Sequence, residues 1–167
     1  QDMFDLLREL GLFGLPFPAA YGGTDSMVSA CLAVEELGRV CYNTAYLLVV
    51  QWSTFGAILA AGSEAQRDRL LPGLVKGDLR AAISVTEPHA GSDVANIKTR
   101  ATPCEGGYSL TGTKIFCTNA RVSDYIIVGA RMASEAGHRG LGFFIVEKDA
   151  PGFVIAGDEN RGPIREL

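Results

Sequence analysis

The sequence predicts an α+β protein in two parts: an all-helical N-terminal bundle over residues 1–79 and a small antiparallel β-barrel or sandwich over 80–167. Two observations carry this. Apolar residues recur at helical spacing up to Leu79, and beyond it the period falls to two. The later apolar runs are short and separated by regular turns, the pattern of a barrel or sandwich rather than of βαβ units.

The helices follow in order. Met3, Phe4, Leu6, Leu7 and Leu10 share one face, and Gly11 is placed to end that helix. "LPFPAAYGGTDS" is a loop, with two prolines and a glycine pair. Asp25 or Ser26 caps a second helix bearing Val28, Cys31, Val34 and Leu37, which Gly38 closes. A third, Asn43 to Ala61, is apolar on nearly every side, as the central helix of a bundle is. It approaches the length of a membrane span, but Gln51, Ser53, Thr54 and Gly56 interrupt it and no basic cluster flanks it, so a buried helix is predicted and no span. Trp52 falls in its core. Ser63 with Gln66 signals a capping box for the fourth helix, which Pro72 interrupts and Gly77 stops.

The strands come next. "RAAISVTE" reads as a strand, "KTRATPC" and "YSLTGTKIFCT" as a hairpin around Glu105-Gly106-Gly107 continuing into a long second strand, and "DYIIVGARM" and "LGFFIVEK" as two more. "APGFVIAG" begins another after a Pro-Gly turn. The chain stops at "RGPIREL" with no closing element, which suggests a fragment.

Composition narrows the function. With 47% apolar residues there is ample material for a core, and a surplus that suits a neighbouring domain or subunit. A net charge of −4 without a block of like charges gives no footprint for nucleic acid. Cys31, Cys41, Cys104 and Cys117 form no CxxC pair and no histidine lies at ligand spacing, so no metal is expected; they read as scattered buried thiols of a reducing compartment. No basic-then-apolar leader opens the chain. The expected location is the cytoplasm, or the mitochondrial matrix in a eukaryote.

Two stretches share one chemical property. "VTEPHAGSD" and "TGTKIFCTNA" each end an apolar run in a hydroxyl, Thr86 and Thr118, beside small residues with open backbone amides, Gly91-Ser92 and Asn119-Ala120. Such edges suit a planar, acceptor-rich ligand and let a pyrophosphate approach the backbone. Either alone reads more readily as an ordinary strand-ending turn. Glu87 and Asp93 flank such a turn and are expected to accept backbone N–H bonds rather than to act as an acid–base pair. Lys114 pairs with a carboxylate or a phosphate, or is solvated. His89 and His138 sit in loops and read as solvated. Gly140-Leu141-Gly142 precedes a strand and lacks the third glycine of a dinucleotide fingerprint.

Together, "AISVTEPHAGSDVANIKTRA" and "GGYSLTGTKIFCTNARVSDYIIVGAR" resemble the acyl-CoA dehydrogenase family, and the helical part is similar to its N-terminal domain in character and spacing. The resemblance implies a helical domain, a central β domain and a C-terminal four-helix domain, the first two present here. It implies FAD as cofactor, with acyl-CoA threaded beside it. Two hydrogens leave the Cα–Cβ bond of the thioester, a base taking the α proton while hydride passes to flavin N5. Carried over, Ile83, Val85 and Thr86 lie along the flavin, and Gly91 and Ser92 near its phosphates, Ser92 also toward the thioester. Phe116 flanks the ring, followed by Cys117 and then Thr118, whose hydroxyl lies near N5. Donors fixed there favour the reduced flavin, which gains negative charge as hydride arrives.

The family's catalytic base belongs to the C-terminal domain and matches no residue here, so no catalytic residue is assigned and the chain alone is expected to be inactive. The family also implies an electron-transfer flavoprotein as acceptor and homo-oligomers. Ile83 replaces a common aromatic, His89 a small residue and Cys117 a branched aliphatic, which clouds the substrate class. Two other readings keep the same residues: an acyl-CoA oxidase or flavin monooxygenase of this fold, and a non-catalytic flavin- or acyl-CoA-binding module.

Overall fold

A computed structural model describes residues 2–132 and 140–155, which divide into one unit of residues 2–80 with 151–155 and another of residues 81–150.

The first unit is built on four helices whose ends follow from local chemistry. In α1 (Met3–Glu9) the Asp2 carboxylate accepts the Phe4 N–H at 3.2 Å, and Gly11 turns the chain out at φ 69°. Ser26, not Asp25, caps α2 (Met27–Val40), its Oγ accepting the Ser29 N–H at 3.2 Å. The helix runs past Gly38, where the sequence predicted its end. Gly38 stays helical, and a Cβ there would stand 4.0 Å from that of Ala45. Cys41, extended at φ −149°, ends α2 and leads straight into α3 (Tyr42–Ala61).

Helix α3 is long and apolar enough to cross a membrane by length and composition. Its polar interruptions are nonetheless satisfied within the bundle. Buried Gln51 donates to the carbonyls of Leu74 at 3.2 Å and Leu79 at 2.7 Å, and buried Thr54 donates to Val50. Leu48 joins Phe4, Leu7 and Phe13 in one core cluster. Trp52 packs on that cluster and donates its indole N–H to the Phe13 carbonyl at 2.9 Å.

Helix α4 (Glu64–Lys76) opens on a complete capping box: Gln66 N–H to Ser63 Oγ at 3.3 Å, and Ser63 N–H to Gln66 Oε1 at 2.9 Å. Ser63→Ala is expected to lower stability by about 1 kcal/mol, read as a shifted urea midpoint at constant slope. Pro72 does not interrupt this helix, as the sequence suggested it would; the loss of one N–H is outweighed by burial of Leu74 and Val75 in the next turn. Gly77 ends it at φ 77°, where a Cβ would lie 2.7 Å from the Phe13 ring.

The cysteines depart from expectation. Cys31, Cys41 and Cys104 are exposed and Cys117 is half-buried. Cys31 lies on α2, of which Ala30 alone is buried, and Cys104 borders a hairpin turn.

Among the described residues, the second unit forms one mixed sheet of five strands. Strand β1 (Ala81–Ser84) runs parallel to β4 (Tyr125–Arg131), from Ala81 opposite Tyr125 to Ser84 opposite Val128. Strands β2 (Arg100–Cys104) and β3 (Gly107–Thr111) form the hairpin, turned by Glu105 and Gly106 at φ 79°. β2 touches β4 in parallel at Arg131, and β5 (Leu141–Glu147) pairs antiparallel with the whole of β4. Because β5 fills one edge of β4, β1 and β2 follow one another along its other edge.

Three sequence expectations are corrected here. β1 stops at Ser84 rather than Glu87, β3 stops at Thr111 rather than running on to Thr118, and residues 153–155 form no strand. Residues 133–139, with His138, and the rest of "APGFVIAG" lie outside the described residues.

Candidate functional site

Both motif stretches leave the sheet and lie side by side. The Ile115 N–H donates to the Thr86 carbonyl at 2.9 Å, the Lys114 ammonium to the Val85 carbonyl at 2.8 Å, and the Cys117 thiol approaches the Ile83 carbonyl at 3.6 Å. Ile115 meets Thr86 and Cys117 meets Ile83, so from 115 to 117 the segment runs back along the end of β1, while the long Lys114 side chain reaches the Val85 carbonyl between them. Ile83, Val85 and Thr86 are thereby brought together with Cys117 and the neighbouring Phe116 and Thr118. Gly91 and Ser92 sit apart, exposed in the loop that follows Pro88.

Backbone strain marks this edge. Phe116 adopts φ 56° and Asn119 φ 66°, a left-handed conformation that asparagine tolerates and phenylalanine rarely enters. Phe116 is also 87% exposed. The chain thus holds a large aromatic ring in water, on a backbone that costs energy to keep. The Asn119 carbonyl accepts from Val122 N–H, Ser123 N–H and Ser123 Oγ at 2.9–3.1 Å, which fixes the turn beyond Thr118. Burial pushes the Cys117 thiol above its ordinary range, partly offset by the Ser84 hydroxyl. It is a neutral packing residue, not a thiolate.

Gly91 has neither positive φ nor any atom within 4 Å of where a Cβ would stand. Nothing among the described residues requires glycine there; a ligand approaching the backbone would.

Glu87 occupies the centre. Its side chain is 1% exposed, and its carboxylate accepts the N–H groups of Lys98 at 2.7 Å and Thr99 at 2.9 Å and the Lys114 ammonium at 2.8 Å. His89 Nε2 lies 3.2 Å away on the outer side. Burial alone would push this carboxyl up, but the Lys114 ammonium, the Thr99 hydroxyl and the two amides outweigh it and hold it at about 2. The buried Thr99 hydroxyl makes no hydrogen bond of normal geometry. It therefore acts as a nearby dipole rather than as a fourth bond.

Glu87 thus accepts backbone N–H groups, as its place beside a turn suggested, while the Asp93 carboxylate bonds the Asn96 side-chain amide instead. Lys114 pairs with a carboxylate. What sequence reasoning missed is that Glu87 and Lys114 meet each other, buried. The available signal was a lone lysine in an otherwise apolar and small-residue run, "TGTKIFCT". Among the described residues no group of three His, Cys, Asp or Glu side chains could hold a metal.

The acyl-CoA dehydrogenase middle domain matches residues 82–166, and the N-terminal domain of the same family matches residues 1–78. The chain is 38% identical over 163 residues to an acyl-CoA dehydrogenase of Bacillus subtilis, across 95% of this chain and 43% of that protein. In structure it is similar to butyryl-CoA dehydrogenase from Megasphaera elsdenii, with a TM-score of 0.85 and 38% identity over 90% of this chain and 41% of that one. It is also similar to PigA, solved as an FAD complex, with a TM-score of 0.82 and 33% identity over 89% and 41% of the two chains. The chain spans about two fifths of the length of these relatives.

Proposed function

The chain belongs to the acyl-CoA dehydrogenase family, and from that premise we propose that the edge joining β1 to residues 112–119 holds the isoalloxazine of FAD, in an enzyme that removes two hydrogens from an acyl-CoA thioester. The observation that carries the proposal is Phe116, exposed on a strained backbone beside two hydroxyl residues. A stacked planar ligand supplies the contact that would offset both costs.

Each residue has a part in this reading. The Phe116 ring covers one face of the flavin. Thr86 and Thr118 offer hydroxyls to its ring atoms, and Ile83, Val85 and Cys117 provide the apolar floor between them. Gly91 and Ser92 leave room and donors for the pyrophosphate and for the thioester. The bound FAD supplies the hydride acceptor; the protein edge orients it and excludes water from it.

Neither carboxylate of the motif serves as the base that takes the substrate proton. Glu87 is buried in its ion pair and Asp93 is bonded to Asn96. We therefore assign no catalytic base in these residues, and the 167-residue chain alone is expected to give no acyl-CoA-dependent dye reduction. Acyl-CoA as substrate, an electron-transfer flavoprotein as acceptor, a homo-oligomeric assembly and a reducing compartment complete the proposal.

Titration of the chain with FAD, followed by quenching of flavin fluorescence, tests it. Saturable binding is expected, weakened about tenfold by Phe116→Ala, the equivalent of about 1.4 kcal/mol of lost stacking. Unaltered affinity in that variant, or no binding by the wild-type chain, would sink the proposal.

A further inference from the structure

Three pieces of chain carry the proposed flavin contacts: the end of β1, the loop with Gly91 and Ser92, and the segment Phe116 to Thr118. One residue with a buried side chain, Glu87, follows the first and is bonded to residues that flank the other two. The Glu87 backbone exchanges hydrogen bonds with Ala90, N–H to O at 2.9 Å and O from N–H at 3.1 Å, which closes the start of the loop. Its carboxylate accepts from Lys98 and Thr99, which closes the loop's far end eleven and twelve residues on. The same carboxylate holds the Lys114 ammonium, and that ammonium also donates to the Val85 carbonyl. Lys114 is itself 11% exposed along its side chain.

We infer that Glu87 and Lys114 are positioning residues: this buried ion pair fixes the Ser92 loop and the Phe116–Thr118 segment in one register on the end of β1, and so sets the shape of the ligand-facing edge. The inference takes FAD as the ligand from the reading above. Stability alone does not account for such a pair, since apolar residues of similar volume commonly stabilise a core as well or better. What the pair supplies is direction. A carboxylate splits its two oxygens between successive amides, and an ammonium distributes its donors tetrahedrally, so each segment is held at one distance and one angle. The cationic counterpart lies at the next turn of chain: Arg131 donates to the Ala95 and Ile97 carbonyls, so residues 95–99 present carbonyls to a cation and amides to an anion. An apolar substitute would fill the space and leave the segments free to slide.

The test uses Lys114→Met and Glu87→Gln in the 167-residue chain, with two readouts. The first needs no flavin: amide chemical shifts of Ser92 and residues 116–118, and hydrogen exchange at the Lys98 and Thr99 amides. The second is FAD affinity and the position of the bound flavin's absorption bands. In each variant the amides of Ser92 and 116–118 are expected to shift and those of Lys98 and Thr99 to exchange at least about tenfold faster. FAD is expected to bind about tenfold more weakly, with displaced bands. Loss of thermal stability with those shifts, that affinity and those bands unchanged would overturn the inference, since a purely structural pair would do only that. Wild-type chain that fails to bind FAD would remove the functional reading while the amide readout still decides this one. If Lys114→Met does not fold, Glu87→Gln, which keeps side-chain volume and one acceptor, gives the same decision.

Discussion

Unfolding free energy is expected to fall by about 3 kcal/mol through Glu87 as the pH drops from above 4.5 to about 2. The sign follows from linkage. Glu87 titrates at about 2 in the folded protein against 4.5 for a free glutamate, so below 4.5 the unfolded chain takes up a proton that the folded one refuses. The stabilisation is fully present above the unfolded value and lost as the pH falls through the folded one. The gap from 4.5 to about 2, at about 1.4 kcal/mol per pH unit, amounts to about 3.5 kcal/mol in full, of which about 3 is lost by pH 2, where the folded carboxyl is half protonated. With a side chain 1% exposed, solvent screening does not erode it. Urea unfolding at a series of pH values, with exchange of β4 amides as a local probe of the second unit, measures the loss. Glu87→Gln removes the titrating group, so its stability is expected to be lower at neutral pH and flatter across the acid range. A wild-type slope retained in that variant would show that other carboxylates carry the acid dependence.

The helical half was legible because its signals are local. Ser26 and Ser63 cap where their chemistry says they cap, and Gly11 and Gly77 leave their helices at positive φ. Pro72 and Gly38 misled because each was weighed as a breaker: after Pro72 the buried Leu74 and Val75 hold the helix, and after Gly38 the helix runs only two exposed residues further, to Val40. In the β half, alternation identifies a strand but not its partner. The parallel pairing of β1 with β4 is visible only in the near-continuous apolar character of "YIIVGA", the signature of a strand with neighbours on both edges and both faces.

The site was legible in its residues and not in its geometry. Alternation continues through "TGTKIFCT", yet a residue at φ 56° cannot stay in a ladder, and phenylalanine at that position announces nothing where glycine or asparagine would have. Glu87 and Lys114 stand 27 residues apart, so their charges were readable but their meeting required the fold.

Gly112→Ala is expected to be the most damaging small change at this site, lowering stability by about 3 kcal/mol. A Cβ at Gly112 would stand 2.7 Å from both Cα and Cβ of Thr99 and overlap its hydroxyl. Thr99 has nowhere to go. Its N–H donates to Glu87 Oε1 at 2.9 Å and its carbonyl accepts the Arg131 N–H at 2.7 Å, so displacement breaks the loop closure on one side and the β2–β4 junction on the other. Overpacking against a backbone that cannot relax lies at the upper end of the usual 1–3 kcal/mol range. Thr99→Ala alone is expected to be mild, because the hydroxyl it removes has no partner. The double variant separates backbone from side chain. Since the approach to the Thr99 Cα and Cβ survives removal of the hydroxyl, Gly112→Ala with Thr99→Ala should keep most of the penalty of Gly112→Ala. Full recovery would mean that only the hydroxyl was in the way. Residues 112–118 would then owe their course to the Lys114 ion pair and the Ile115–Thr86 hydrogen bond, and not to the close approach of Gly112 to the Thr99 backbone.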